Sequence, residues 1–260
     1  CLLNKRLNYY RSNIETISRL RGFVLKNFII AQSSGTFYGW PANGGIWIWG
    51  DEILIGFGSR EYQEKHEKHS INLDSPGRNL LARSMDGGDT WTLEDPIELN
   101  VKRPLLPCPG DIDFTHEGFC MSVRGSRFLV SNDRGSTWPH VYSFPSFGVA
   151  GLESRTDYIA KDSATCFFSH TASKPNGKEG RPFCAKTTDG GKTIEFLGWI
   201  SPEPAGYSIM PSTVQLTESC LVSAIRRHEG ADEKQENWIE IWISHDSGRT
   251  WALNSDRTVD

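Results

Sequence analysis

The chain has 260 residues, 28 Lys and Arg against 32 Asp and Glu, and a formal net charge of −4, a balance that argues against nucleic acid or an anionic membrane as its main partner. No apolar run reaches the roughly 20 residues of a membrane-spanning helix. Nine Trp, thirteen Phe and twenty-five Gly point to an all-β, turn-rich protein, and six cysteines without C-x-x-C or metal-ligand spacing imply no metal.

In chain order, residues 1–35 set Lys5, Arg6, Arg11, Arg19, Arg21 and Lys26 against the single acid Glu15. They read as a leader or an extension outside the main domain, with a ring-closing strand as the alternative. The chain starts with Cys rather than Met, so a piece of a longer protein is expected. The apolar stretch 23–31 is too broken by Lys26 and Asn27 for a secretory core. Strands are expected over 46–49 and 52–58, then a polar loop over 59–78 that holds Arg60, His66, His69 and Asp74, then a strand over 79–84. Loops longer than about 12–15 residues inside compact domains are often functional. Further strands are expected over 119–123 and 127–131, with the strand before them hard to place near 105–114. The rest are expected over 155–160, 166–172, 181–187, 210–216, 220–227 and 238–244. Cys120, Cys166, Cys184 and Cys220 sit in apolar alternation and read as buried thiols, with a disulfide as the alternative.

One pattern occurs four times, at 84–91, 131–138, 187–194 and 244–251: Ser/Thr-x-Asp-x-Gly-x-Thr closed by Trp or Ile. The spacings, about 47, 56 and 57 residues, fit one four-stranded propeller blade each. An Asp that accepts from backbone N–H groups two residues on, with a Gly supplying a positive φ, makes a tight turn. These four Asp residues are therefore read as turn formers and not as catalysts.

The octapeptides resemble the Asp-boxes, or BNR repeats, of the sialidase superfamily, and residues 37–260 are similar throughout to sialidase-like β-propellers. The resemblance implies an all-β propeller of four-stranded antiparallel blades over 36–260, six-bladed in the full parent with about four to five blades here. It implies that the boxes lie between third and fourth strands, away from the active site. It alone favours an extracellular or periplasmic location.

With the octapeptides marking one face, up-and-down connectivity gathers other residues on the opposite face. Asp74, His69, Arg155 and Tyr158 are the catalytic candidates there, and Arg60, Asp157, Arg226 and Arg227 the substrate-binding ones. Arg forks bind carboxylates bidentately. His and Tyr move protons near neutral pH, and Asp74 suits an acid, base or orienter. The bland alternative makes Arg155 and Asp157 a surface pair and Tyr158 core filler. His66 and His69 lack the i, i+4 spacing of a helical zinc pair. His116, in Asp113-Phe114-Thr115-His116, is a further catalytic candidate on a face the irregular second repeat leaves open, and Arg181 is a candidate clamp.

The family opens its first blade with Arg-Ile-Pro, supplying a substrate arginine; Gly39-Trp40-Pro41 stands in that place here. The family's acid/base Asp corresponds to Asp74, and a second family arginine is similar to Arg226 or Arg227. The third arginine and the Tyr nucleophile fall beyond Asp260. Three readings follow. The first is an exo-acting glycoside hydrolase on a sialate- or uronate-containing glycan. The second is a uronate lyase in which Arg155 neutralises the carboxylate while His69 and Tyr158 move protons. The third is a non-catalytic glycan-binding propeller or an inactive fragment. The expected partner is an anionic glycan, and no motif implies a metal or organic cofactor.

Overall fold

A computed structural model describes residues 29–41, 43–65, 69–176, 180–229 and 236–254. The chain divides into Cys1–Ile30 and Ala31–Asp260; the reading of the N-terminal segment lies, through residue 28, outside the described residues. The described residues of the second unit form sixteen strands in four antiparallel sheets, arranged as propeller blades.

Blade one contains β1 (Thr36–Gly39), β2 (Gly45–Trp49), β3 (Glu52–Glu61), β4 (Arg78–Ser84) and β5 (Thr92–Glu94). Its inner position is shared by two short strands, β1 along the end of β3 and β2 along its beginning. Between them the chain turns a corner at Trp40, whose φ is +56°. Blade two holds β6 (Cys120–Arg124), β7 (Arg127–Ser131) and β8 (His140–Ser143). Blade three holds β9 (Tyr158–Ala160), β10 (Cys166–Ala172), β11 (Arg181–Thr187) and β12 (Glu195–Trp199). Blade four holds β13 (Tyr207–Gln215), β14 (Leu221–Glu229), β15 (Glu236–Ser244) and β16 (Ala252–Leu253).

Alternation along the strands sends large apolar side chains between the blades. Trp47, Leu54, Leu81 and Trp138 fill the space between blades one and two. Phe128, Phe144, Phe168 and Phe183 do so between two and three, and Phe167, Leu221, Ile225 and Trp242 between three and four. Trp138, which closes the second octapeptide, is fully buried.

All four octapeptides form the same turn. In the second, Asp133 Oδ1 accepts from Ser131 Oγ at 2.6 Å and Thr137 N at 2.9 Å, and Oδ2 from Thr137 Oγ1 at 2.6 Å. Gly135, at φ +81°, donates its N–H to Ser131 Oγ at 2.8 Å. The Thr-to-Asp hydroxyl bond recurs at 2.6 Å on Asp86, Asp189 and Asp246. Hydrogen bonds from Thr90 and Thr250 favour the charged form and hold Asp86 and Asp246 down at about 2. These carboxylates are spent on turn geometry.

Blade two departs from the four-stranded expectation: it has three strands, and the short repeat spacing reflects a missing inner one. Its place is taken by the segment that leads into blade three. The free N–H groups along β6 meet this segment in antiparallel order: Gly125 N donates to Ser154 O at 3.0 Å, Val123 N to Thr156 Oγ1 at 2.9 Å, and Met121 N to Tyr158 Oη at 3.3 Å. Two side-chain hydroxyls and one carbonyl thus satisfy an edge that would otherwise be unpaired. For the same reason the strand expected over 155–160 is shortened to Tyr158–Ala160. The loop expected over 59–78 also starts later, because β3 runs on to Glu61. Cys120, Cys166 and Cys184 are buried free thiols, as expected, and Cys108 is a further one, but Cys220 is only half-buried, just ahead of β14.

Candidate anion-binding cleft

On the face opposite the octapeptide turns, between blades one and two, lies a cleft of about 470 Å³. It is lined by the end of β3, the start of β4, the turn after β6 and the segment around residue 155. Four guanidinium side chains line it, Arg60, Arg78, Arg124 and Arg155, and none of the described lining residues is Asp or Glu.

Arg124 is the deepest. Its Nη1 donates to Asn79 Oδ1 and its Nε to Ser122 Oγ at 3.3 Å. Its Nη2 is buried and has no hydrogen-bond partner among the described residues. Burial, with the Arg127 charge adding to it, lowers its pKa to about 10, so it stays protonated at neutral pH. A buried charge without a counter-charge is costly unless something else supplies one. Arg60 donates through Nη1 to the carbonyls of Leu73, at 3.0 Å, and Ser75, and Arg155 Nη1 donates to Glu153 O at 2.5 Å. Only Arg78 of the four pairs with a described carboxylate, Asp95, at 2.5 Å.

Two glycines make room for these groups. A Cβ on Gly44 would lie 2.8 Å from Arg124 Nη2 and 3.0 Å from the Gly56 backbone, and one on Gly77 would lie 2.9 Å from Arg60 Nε. At the rim stands Trp40, its ring 5.6 Å from that of His69 and nearly perpendicular to it.

The structure brings Arg60 and Arg155 into one cleft and places His69 behind its Trp40 wall. Asp74 is exposed beside it, between the two residues whose carbonyls hold Arg60. The other candidates lie elsewhere. Tyr158 is turned into the core, where its hydroxyl accepts from Trp47 Nε1 at 2.9 Å and from Met121 N, and burial pushes its pKa well up. Asp157 points to blade four, accepting from Thr213 N at 3.3 Å. Its Oδ2 is buried without a described partner, and desolvation raises the carboxyl to about 6.

His116 lines a separate hollow of about 390 Å³ on the octapeptide face, together with Asp133 and His140. Arg226 lies over Tyr207 at 5.7 Å, and Arg227 pairs with Glu229 at 2.5 Å; neither lines the cleft. Arg181 stacks on Trp199 at 4.2 Å, also away from it. His66 lies outside the described residues.

Arg78, Arg124 and Trp40 line the cleft without being among the residues expected there from the sequence. Arg124 carries a usable signal: it directly follows the strand expected over 119–123, which the structure shifts by one residue to Cys120–Arg124, at a second-to-third strand turn that connectivity puts on the candidate face.

No family model matches the chain, and no curated protein matches it. Among solved structures its fold is similar to that of a protein of unknown function from Dyadobacter fermentans DSM 18053, at 16% identity and TM-score 0.60, covering 86% of this chain and 70% of that one. It is similar to a glycoside hydrolase at 13% identity and TM-score 0.54, covering 86% and 75%. It is also similar to the intramolecular trans-sialidase of Ruminococcus gnavus at 11% identity and TM-score 0.51, covering 85% and 70%. At such identities the likeness is one of fold: the chain has the propeller architecture found in sialidases and other glycoside hydrolases.

Proposed function

We propose that the protein is a carbohydrate-active propeller that seats the acid group of a sialate- or uronate-bearing glycan in the arginine cleft and cleaves it as an exo-acting hydrolase. The observation that carries this is Arg124, a half-buried, protonated guanidinium whose Nη2 is buried and unpaired among the described residues, with no carboxylate among the described residues that line the cleft. A bound carboxylate supplies the missing charge and hydrogen-bond acceptors. Arg60 and Arg155, held in place by backbone carbonyls and not by acids, keep their charge for the ligand.

Because the described lining offers no carboxylate, acid–base chemistry falls to the rim, where Asp74 stands one residue from each of the carbonyls that fix Arg60. The lyase reading needs His69 and Tyr158 together, and Tyr158 is committed to the inter-blade core; hydrolysis is therefore preferred.

The test is an assay against sialosides and uronate-terminated glycans that follows reducing-sugar release and the ultraviolet absorbance of an unsaturated uronate. Reducing sugar without absorbance, abolished in Asp74→Asn with binding retained, is the expected result. Absorbance would replace the hydrolase by a lyase. Binding without either product would leave a glycan receptor, and loss of neither binding nor turnover in Arg124→Met would overturn the cleft assignment.

A further inference from the structure

The cleft has a second kind of wall. Trp40 lines it together with the guanidiniums and keeps 36% of its surface exposed. Its backbone is in the left-handed region at φ +56°, which a large non-glycine side chain adopts at a cost of about 1 kcal/mol or more. A glycine at this position would make the same corner without strain. The indole is also fixed from three sides. Its six-membered ring rests on Gly58, where a Cβ would lie 3.4 Å from Cε3. Phe37 packs on it at 5.6 Å and 58°, and His69 meets it edge-on at 5.6 Å and 78°.

We propose that Trp40 is a ring-stacking platform and that the cleft takes a pyranose bearing a carboxylate, its C–H face against the indole and its carboxylate on Arg124. This rests on the anion-binding reading of the same cleft. The rest of the lining is polar or lacks side chains, with Phe57 and Val123, the two other apolar lining residues, buried beneath. Apolar contact area for a sugar ring therefore comes from Trp40. A rigid aromatic side chain supplies much of it with little ordering cost, because bracketing has already fixed its plane. A stacked ring and a charge clamp in one cleft select an acidic sugar over a neutral sugar, which lacks the charge, and over a simple acid, which lacks the ring.

The experiment is calorimetric titration with methyl β-D-glucuronide, the methyl α-glycoside of N-acetylneuraminic acid, methyl β-D-glucoside and acetate. It uses wild type, Trp40→Asn, Trp40→Phe and Arg124→Met. Asn tolerates a left-handed backbone, so Trp40→Asn removes the ring without straining the corner further, and its acetate affinity serves as the folding control. One or both acidic glycosides are expected to bind wild type at least tenfold more tightly than acetate or the neutral glucoside. Trp40→Asn is expected to remove that advantage while leaving acetate within twofold, and Trp40→Phe to restore most of it. The glycoside that shows the dependence identifies the ring. Equal weakening of glycoside and acetate in Trp40→Asn, or no weakening of either, overturns the platform. Unchanged binding in Arg124→Met overturns the underlying clamp instead, whatever Trp40 does.

Discussion

Ser154 Oγ lies 2.7 Å from His170 Nδ1, and through that bond a residue of the arginine cleft is anchored in the aromatic core. His170 is 1% exposed, with Phe144, Phe183 and Phe147 around it at 4.4, 5.2 and 5.6 Å. Its Nε2 has no partner among the described residues. Burial lowers its pKa to about 3, so it packs as a neutral ring.

That fixes a pH dependence. The unfolded histidine gains its proton near pH 6.5 and the folded one only near 3, so the stability it contributes is whole above 6.5 and is lost as pH falls, by about 1.4 kcal/mol per unit. Asp157, raised from 3.8 to about 6, acts the other way: its contribution is present below 3.8 and lost as pH rises through 6. Between pH 5 and 6 the two slopes oppose. Urea midpoints should therefore rise more steeply with pH in Asp157→Asn than in wild type, and fall with pH in His170→Phe. Parallel profiles for all three proteins would show that neither group titrates as its burial requires.

Thr156 Oγ1 both accepts from Val123 N, at 2.9 Å, and donates to Val123 O, at 3.3 Å, as a strand residue would. Thr156→Val should cost about 2 kcal/mol, since it strands buried backbone groups. Tyr158→Phe should cost about the same by stranding the Trp47 indole N–H and the Met121 amide. Any glycan turnover should persist in folded Tyr158→Phe; a large fall in kcat without a stability change would restore Tyr158 as a catalytic candidate.

Arg124→Met should raise the stability of the unliganded protein by about 1 kcal/mol, because a partly buried charge without a described counter-charge is replaced by a shorter apolar chain that covers the path of its methylenes. The same variant should lose the thermal stabilisation that an acidic sugar gives wild type. A variant less stable than wild type without ligand would mean that Arg124 is a structural strut.

Gly44→Ala and Gly77→Ala separate space for backbone from space for a side chain. At Gly44 the new methyl meets the Gly56 backbone, which cannot move away, so about 1–3 kcal/mol of stability should be lost. At Gly77 it meets the end of Arg60, which can swing, so stability should change little while affinity for the anion falls several-fold. Thermal melts with and without ligand read both effects.

Much of the propeller was legible because it is written in local chemistry. The octapeptide at 131–138 specifies its own turn through Ser131, Asp133, Gly135 and Thr137, the strands 127–131 and 181–187 each run into such an octapeptide, and 166–172 is a continuously buried run. Blade two was not legible, since nothing in 105–114 reports that its inner strand is replaced by hydroxyls from 156 and 158. The cleft was half legible. Arg60 and Arg155 followed from connectivity, whereas Asp157 and Tyr158, two and three residues after Arg155, face inward, a distinction set by docking on β6 and on blade four. Arg124 and Trp40 owe their roles to burial and to an unusual φ, neither of which composition announces.

The missing strand of blade two also limits how the protein can be re-engineered. Regular repeats invite shuffling, because each carries its own turn and its own share of the core. Here the segment that completes the second repeat belongs in sequence to the third, and it carries Arg155 past the end of the strand that carries Arg124. Swapping in a four-stranded consensus blade would give a tidier array in which the inner edge of β6 is paired by main chain, Ser154 and Thr156 are displaced, and the cleft closes. The irregular repeat is the one to leave untouched, and graft boundaries belong between blades three and four.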